Sequence, residues 1–280
     1  MSETGKNPLL PSVHTIREVR DETDVGDVKT FVVDGSFDYL PGQCAMVSVF
    51  GVGECMISIT SSPDASARGR YLEFAVKKVG LVTEALHELE PGCKIGIRGP
   101  YGNHFPFEQW AGKKLLFIGG GIGLAPLRSL INHCIAHKEE YRYGPIEIVY
   151  GARSPGDLCF KDEIMGHWPK CEDTTVHLTV DRGDENWKGH VGFVPQFVEE
   201  IAPSPSDCVA ITCGPPIMIK LVLETLRKLG FEDDQVITTL ELKMQCGIGK
   251  CGRCNVGSKY VCKDGPVFSL AQLKQLPAEF

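Results

Sequence analysis

The feature that most constrains this chain is a change of pattern near residue 110. Before it, apolar segments are short: VKTFVVDG, CAMVSVFG, MISITSS, YLEFAVKKV and KIGIRG, rich in Val, Ile and Phe and mostly bounded by Gly or Pro. Only Thr83 to Leu89 reads as helical. Short strands at near-regular spacing predict a closed or nearly closed antiparallel β-barrel. After the change, strands and helices alternate. KKLLFIGG is a buried strand ending in glycines, and Leu127, Leu130, Ile131, Cys134 and Ile135 then recur at helical spacing. IEIVYGA, TVHLTVD, CVAITCG and VITTLEL are further strands. Helices are expected at Leu158–Met165, Phe193–Ile201 and Ile217–Leu229. That alternation predicts an α/β domain with a parallel sheet and helices on both faces. The expected organisation is a barrel over residues 1–110, an α/β nucleotide-binding domain over 111–238, and a small C-terminal module over 239–280.

Two strand-to-helix turns stand out in the second domain. Gly119, Gly120, Gly121 and Gly123 follow a buried strand and open a helix, with Ala125 and Pro126 in its first turn. Cys213-Gly214-Pro215-Pro216 does the same further on. Glycines there let a pyrophosphate reach the unpaired amides of a helix start. In open α/β sheets ligands bind beyond the carboxyl ends of the strands, so both turns are expected to face one ligand. Two unrelated tight turns would read the same way. Arg153 and Arg182 follow strands at that edge and suit a 2′-phosphate; Asp181 would repel one and bond a ribose hydroxyl instead. The balance leans to NAD(H) over NADP(H).

Four of the twelve cysteines crowd into one stretch: Cys246, Cys251, Cys254 and Cys262. The spacing C-x4-C-x2-C-x7-C puts three thiolates on a tight loop, with a fourth brought in by a following strand or turn. It matches the plant-type [2Fe–2S] spacing, and the interspersed glycines leave amides free to donate to sulfur. A structural zinc is the alternative, since four thiolates also make a closed tetrahedral site. The other eight cysteines are scattered and read as small core hydrophobes.

The net charge of −7 argues against nucleic acid, which wants clustered Lys and Arg. The N-terminus lacks a basic region followed by an apolar core. The most apolar stretch, Leu115 to Ile131, is broken by glycines, Pro126 and Arg128. No membrane insertion is expected, and a cytoplasmic protein is the default.

In this order the motifs ISITSS, VGLVTEAL, GPYGN, GGGIGLAP and CGPP resemble the ferredoxin–NADP reductase-like superfamily. Adding LKMQCGIGKCGRC and YVCKDGPVF narrows the resemblance to flavin and [2Fe–2S] electron-transfer subunits of multi-subunit enzymes. Those of soluble NAD(P)-linked hydrogenases (sulfhydrogenase gamma subunits) look most alike. Dihydroorotate dehydrogenase electron-transfer subunits, the corresponding subunit of anaerobic sulfite reductase and flavin subunits of heterodisulfide-reductase-like complexes share the plan. The resemblance runs from about Pro11 to Phe268.

It implies FAD, a [2Fe–2S] cluster and NAD(H) or NADP(H) as substrate, with other redox subunits as partners. It implies that Ile57 and Ser58 lie along the flavin ring and ribityl chain, that Gly80, Leu81, Val82 and Thr83 hold its pyrophosphate, and that Met56 and Val76 also belong to the cofactor-binding set. An ordinary Thr cap would use the same Thr83. Cys213 matches a family cysteine near the nicotinamide, where a small residue for close stacking serves as well as thiol chemistry. Glu241 matches an acid near the flavin, or is a solvated carboxylate. No side-chain acid or base is obligatory, because the cofactors carry the chemistry. Many relatives carry an Arg three residues before the motif serine, where this chain has Cys55. Lys77 or Lys78 would then be the nearby cation. A self-sufficient flavin reductase with a zinc-tied C-terminus, or a non-catalytic nucleotide sensor, are the alternative functions.

Overall fold

The computed structural model describes residues 7–277. Six antiparallel strands form the first sheet: β1 (Ser12–Asp21), β2 (Val28–Asp34), β3 (Cys44–Val49), β4 (Gly53–Ser58), β5 (Tyr71–Lys77) and β6 (Lys94–Tyr101). Their spatial order is β4-β3-β6-β1-β2-β5. The Thr60 amide, just past β4, donates to the Glu73 carbonyl on β5 at 2.9 Å and draws the two edges together into a barrel. Ile16, Phe31, Val33, Leu72, Phe74, Ile95 and Ile97 fill its interior.

Sequence patterning missed two elements here. β1 carries one fully buried residue, Ile16, among half-exposed and exposed ones, so its alternation is faint. A second helix, α1 (Pro63–Gly69), precedes the anticipated one, α2 (Leu81–His87). The signal for α1 was present: Ser62 accepts from the Ala65 amide as N-cap, and Pro63 occupies the first turn.

The second sheet comprises β7 (Lys114–Gly120), β8 (Ile146–Ala152), β9 (Thr174–Val180), β10 (His190–Val191), β11 (Cys208–Cys213), β12 (Val236–Thr239) and β15 (Val267–Ser269). Its order is β10-β9-β8-β7-β11-β12-β15, parallel except for β15, which runs antiparallel to β12. Helices α3 (Leu124–Ala136) and the one-turn α4 (Lys138–Tyr141) follow β7. Helix α5 (Val194–Ile201) precedes β11, and α6 (Pro216–Lys228) follows it. Successive residues of a strand point to opposite faces. Leu115 and Phe117 therefore pack with α3, while Leu116 and Ile118 pack with α5 and α6. Both faces being covered explains the uninterrupted apolar run.

The helix expected at Leu158–Met165 is instead a 3₁₀ turn at Pro155–Asp157 and a π-type turn at Asp162–His167. Phe160 between them sits at φ +55°, which no helix continues through. The strand read from VITTLEL ends at Thr239.

The cysteine segment follows. Its hairpin, β13 (Asn255–Val256) with β14 (Lys259–Tyr260), leads into the one-turn α7 (Val261–Asp264), and α8 (Leu270–Leu273) follows β15. Cys262 thus comes from a helical turn rather than a strand. The chain then re-enters the second sheet through β15. No helix among the described residues is long and apolar enough to cross a membrane.

Candidate cofactor and electron-transfer site

Strand order reverses between β7 and β11, with Gly119 directly opposite Cys213. This switch point is where an open α/β sheet offers its ligand crevice. A cavity of about 630 Å³ opens there. The two expected turns meet at it closely: a Cβ on Gly123 would come 2.5 Å from Gly214 Cα and 2.6 Å from the Cys213 carbonyl oxygen. Gly121, at φ +53°, has nothing within 4 Å of where its Cβ would be, so its backbone faces open space. Neither α3 nor α6 has a side-chain cap at its start. The Leu124 amide that opens α3 already donates to the Gly121 carbonyl, and Pro126 and Pro216 carry no N–H, so the Ile217 and Met218 amides of α6 are the ones left without an intrahelical partner for an anion.

Gly120, Gly121, Gly123, Arg153, Asp181, Gly214, Pro215 and Glu241 line this cavity. Gly119, Ala125, Pro126 and Cys213 are buried behind it, and Arg182 lies outside the lining. Burial raises the Asp181 pKa and Asp157 adds to that, against the opposing pull of Arg182 and Arg153. The Cys213 thiol accepts a hydrogen bond from Thr239 Oγ1 at 3.0 Å, and burial pushes it up to about 12. It is a neutral small residue at neutral pH, not a thiolate. Glu241 lines the cavity, and desolvation raises its pKa. Patterning missed most of the barrel's share of the wall: Thr23, Asp27 and Val28 close one side beside Lys77, whose Nζ lies 3.1 Å from Asp27 Oδ2. Only the packing of barrel against sheet brings them there.

On the barrel, β4 is an edge strand, and Cys55, Met56, Ile57 and Ser58 on it are half-buried. The start of α2 lies alongside, since Val82 packs 3.2 Å from a Cβ position on Gly53. Val79 and Leu81 beside it are 74% and 71% exposed, an apolar lip next to an unpaired strand edge. That edge, with free backbone groups and apolar flanks, fits a flat aromatic cofactor. Val76 does not join it: its side chain fills the barrel core, and its carbonyl pairs with His87 Nε2 at 2.8 Å. Thr83 Oγ1 accepts from the Val79 and Gly80 amides, both at 2.9 Å, so it fixes the turn and leaves the helix start to the backbone. Burial raises Cys55 to about 11, so it supplies no charge in place of the absent Arg. Lys78 reaches toward Glu88 at 3.5 Å, and Lys77 is the cation facing the cavity.

The cysteine loop is organised around sulfur. Ile248, Lys250 and Cys251 direct their amides to Cys246 Sγ at 3.3–3.4 Å, and Gly249 directs its amide to Cys262 Sγ at 3.2 Å. Four amides converging on thiols, with Cys254 and Cys262 buried, make a cradle suited to an anionic metal–thiolate group. The thiols influence one another: Cys246 feels Cys251, and Cys262 feels both Cys254 and Cys246. Among the described residues no three of these sulfurs lie within 4.8 Å of one another.

The loop is tied to the barrel. Arg98 on β6, 4% exposed in its side chain, donates to the carbonyls of Cys246 at 2.6 Å and Gln245 at 2.9 Å. The same guanidinium holds Glu54 at 2.5 and 3.0 Å. Asn103, in the GPYGN motif, donates to the Asp264 and Val267 carbonyls and accepts from the Val267 amide. Sequence reasoning did not single out Arg98 or Asn103, whose partners in the C-terminal segment lie over 140 residues away.

Three family models match the chain. Residues 12–105 match the oxidoreductase FAD-binding domain, and 117–224 match the oxidoreductase NAD-binding domain. Residues 241–274 match the iron–sulfur cluster binding domain of dihydroorotate dehydrogenase B. The gamma subunit of sulfhydrogenase 1 from Pyrococcus furiosus is 41% identical over 85% of this chain and 82% of its own length. The chain belongs to this family of flavoprotein electron-transfer subunits. The probable dihydroorotate dehydrogenase B (NAD(+)) electron transfer subunit of Methanocaldococcus jannaschii is 36% identical over 94% of this chain and 91% of that one. A solved structure of an NADH-dependent reduced ferredoxin-NADP oxidoreductase, studied for flavin-based electron bifurcation, superposes with a TM-score of 0.74. At 23% identity over 96% of this chain and 94% of that one, it bears on fold alone. Family membership thus gives this chain an FAD-binding domain, an NAD-binding domain and an iron–sulfur-binding domain.

Proposed function

We propose that this chain is the electron-transfer subunit of a multi-subunit oxidoreductase, moving electrons between NADH and a partner redox subunit through FAD and a [2Fe–2S] cluster. A hydrogenase or a heterodisulfide-reductase-like complex is the partner class that its relatives' plan favours. The observation that carries the reading is the arrangement of sulfurs in a loop latched to the flavin-side barrel. A single tetrahedral zinc with bonds of about 2.3 Å would bring all four sulfurs within about 4 Å of one another. The wider spread, with no three sulfurs inside 4.8 Å, supports the two-iron reading.

When bound, a flavin accepts a hydride's two electrons and a two-iron cluster accepts electrons singly; the chain's residues position and insulate them. In this reading the glycine turn after β7 and the start of α6, with Gly120, Gly121, Gly123 and Gly214, hold the dinucleotide phosphates by backbone amides, and Pro215, which has no N–H, shapes the second turn. Asp181 takes the adenosine ribose hydroxyls, which favours NAD(H) over NADP(H). Neutral Cys213 leaves room at the nicotinamide end without titrating. Glu241, one of the acids lining the cavity, holds its proton more tightly than a solvated carboxylate. Met56, Ile57 and Ser58 line the flavin along the β4 edge, and the turn at Gly80–Thr83 offers its amides to the flavin phosphates.

The test is an anaerobic visible spectrum with iron, acid-labile sulfide and zinc analysis, before and after NADH. The reading expects flavin and iron–sulfur absorbance both to bleach, with two irons and two sulfides per chain. Zinc with no iron would replace it with a zinc-tied flavin reductase. Nucleotide bound with no flavin would leave a sensor.

A further inference from the structure

A cluster of imidazoles and one carboxylate sits on the seam between barrel and α/β domain, away from the cavity and the cysteine loop. His133 lies in the last turn of α3, and His137 follows four residues on, so both imidazoles project from one side of the helix. Asp64, in the first turn of α1, reaches across from the barrel. Asp64 Oδ2 lies 2.8 Å from His137 Nε2 and 3.4 Å from His133 Nδ1. One ligand atom from each residue falls within 4.8 Å of the other two.

His133 is the second observation. It is 7% exposed, and neither ring nitrogen has a hydrogen-bond partner. Its Nδ1 nevertheless faces the carboxylate that His137 engages. Buried polar groups are as a rule satisfied, so a buried imidazole with an idle nitrogen turned toward another imidazole and a carboxylate calls for an occupant. His137 adds a third feature. Its Nε2 faces the cluster while its Nδ1 is held by Glu140 Oε2 at 2.6 Å. A carboxylate on the far nitrogen is the arrangement that fixes tautomer and ring direction in metal-binding histidines.

We propose that Asp64, His133 and His137 bind a divalent transition-metal ion of the zinc class, which cross-links the barrel to the α/β domain. Bonds of about 2.0–2.1 Å to nitrogen and oxygen give tetrahedral edges of about 3.3 Å, close to the spacings seen. Two imidazoles and one carboxylate select zinc over magnesium or calcium, which want mostly oxygen. Asp64 and His137 are 38% and 26% exposed in their side chains, leaving a solvent-side fourth position for water. The three ligands come from both sides of the seam, so the ion's role is to join. One turn before His133, Arg128 and Ser129 bind Glu73 and the Ser61 carbonyl of the barrel at 2.5 and 2.7 Å. The ion would extend that seam along the same helix whose start opens the nucleotide cavity. This inference does not depend on the redox reading.

The experiment uses the holoprotein with its iron intact. After equilibration with micromolar zinc and gel filtration, zinc per chain is measured, with the zinc K-edge absorption spectrum. The proposal expects one zinc per chain with nitrogen and oxygen neighbours only. Asp64→Asn and His137→Asn should each bind about tenfold or more weakly. His167→Asn, at the neighbouring Cys171 thiol 3.9 Å away, should bind as wild type. Zinc should also raise the melting temperature of wild type and not of the first two variants. No retained zinc, sulfur in its coordination shell, or equal binding by Asp64→Asn and His137→Asn would each overturn it.

Discussion

Arg98→Ala tests the coupling between barrel and cysteine loop. Its guanidinium makes two hydrogen bonds to loop carbonyls, at Cys246 and Gln245, and two to Glu54. A hydrogen bond from a charged donor contributes about 1.5–3 kcal/mol, so the two loop bonds are worth about 3–6 kcal/mol in a dry site. Gln245 is exposed, and Glu54 is 35% exposed in its side chain, so water can replace part of what is lost. The net loosening of the loop is then about 2–4 kcal/mol, a roughly 30- to 700-fold rise in its open population. The assay follows transfer of iron from the holoprotein to an excess of chelator, by loss of visible absorbance. If opening is fast relative to capture, the rate rises by the same factor. Arg98→Lys, which keeps the charge but not the fork, should fall between the two. A release rate for Arg98→Ala within about threefold of wild type would refute the argument that this residue fastens the loop.

Three further outcomes follow from the geometry. Gly123→Ala forces a methyl against Gly214 and the Cys213 carbonyl; overpacking there should cost about 1–3 kcal/mol and weaken NADH binding about five- to hundredfold by titration. Asp181→Ala removes the carboxylate facing the ribose end, and the ratio of NADPH to NADH oxidation rates at low substrate should rise at least about tenfold. An unchanged ratio would remove Asp181 from the specificity role. Burial holds Cys44, Cys159 and Cys213 at about 12, whereas unfolded thiols titrate near about 8.5. Their contribution to stability is therefore intact below that unfolded value and is lost as pH rises from it toward the folded value. The slope is about −1.4 kcal/mol per pH unit per thiol, checked by urea midpoints between about pH 8 and 10. Substituting Cys213 by Ala should lessen the slope by one thiol's share, about 1.4 kcal/mol per pH unit.

The structure also separates what kinds of information sequence carries. The switch from short strands to strand–helix alternation, the glycine turns after β7 and β11, and the cysteine spacing are local patterns. Their physics is local too: side-chain period, backbone freedom and thiolate count. Those were legible. β1 was not, because Ile16 alone is fully buried on it. The Leu158–Met165 segment has helical composition, yet Phe160 adopts a left-handed conformation and its amide bonds the distant Glu22 carboxylate at 2.9 Å.

Cys213 shows where only the fold supplies chemistry: whether a cysteine is a thiolate or an inert thiol depends on the water around it, and the sheet excludes that water. By itself the sequence determined which segments can hold a dinucleotide, a flavin and a metal cluster, since those capacities reside in short runs of residues. The tertiary structure alone decided what lies between them. Arg98 against the cysteine loop, Lys77 and Asp27 in the cavity wall, and Asp64 across from His133 are contacts between residues far apart in the chain. No local periodicity encodes such contacts; they exist only because two domains pack in one relative orientation.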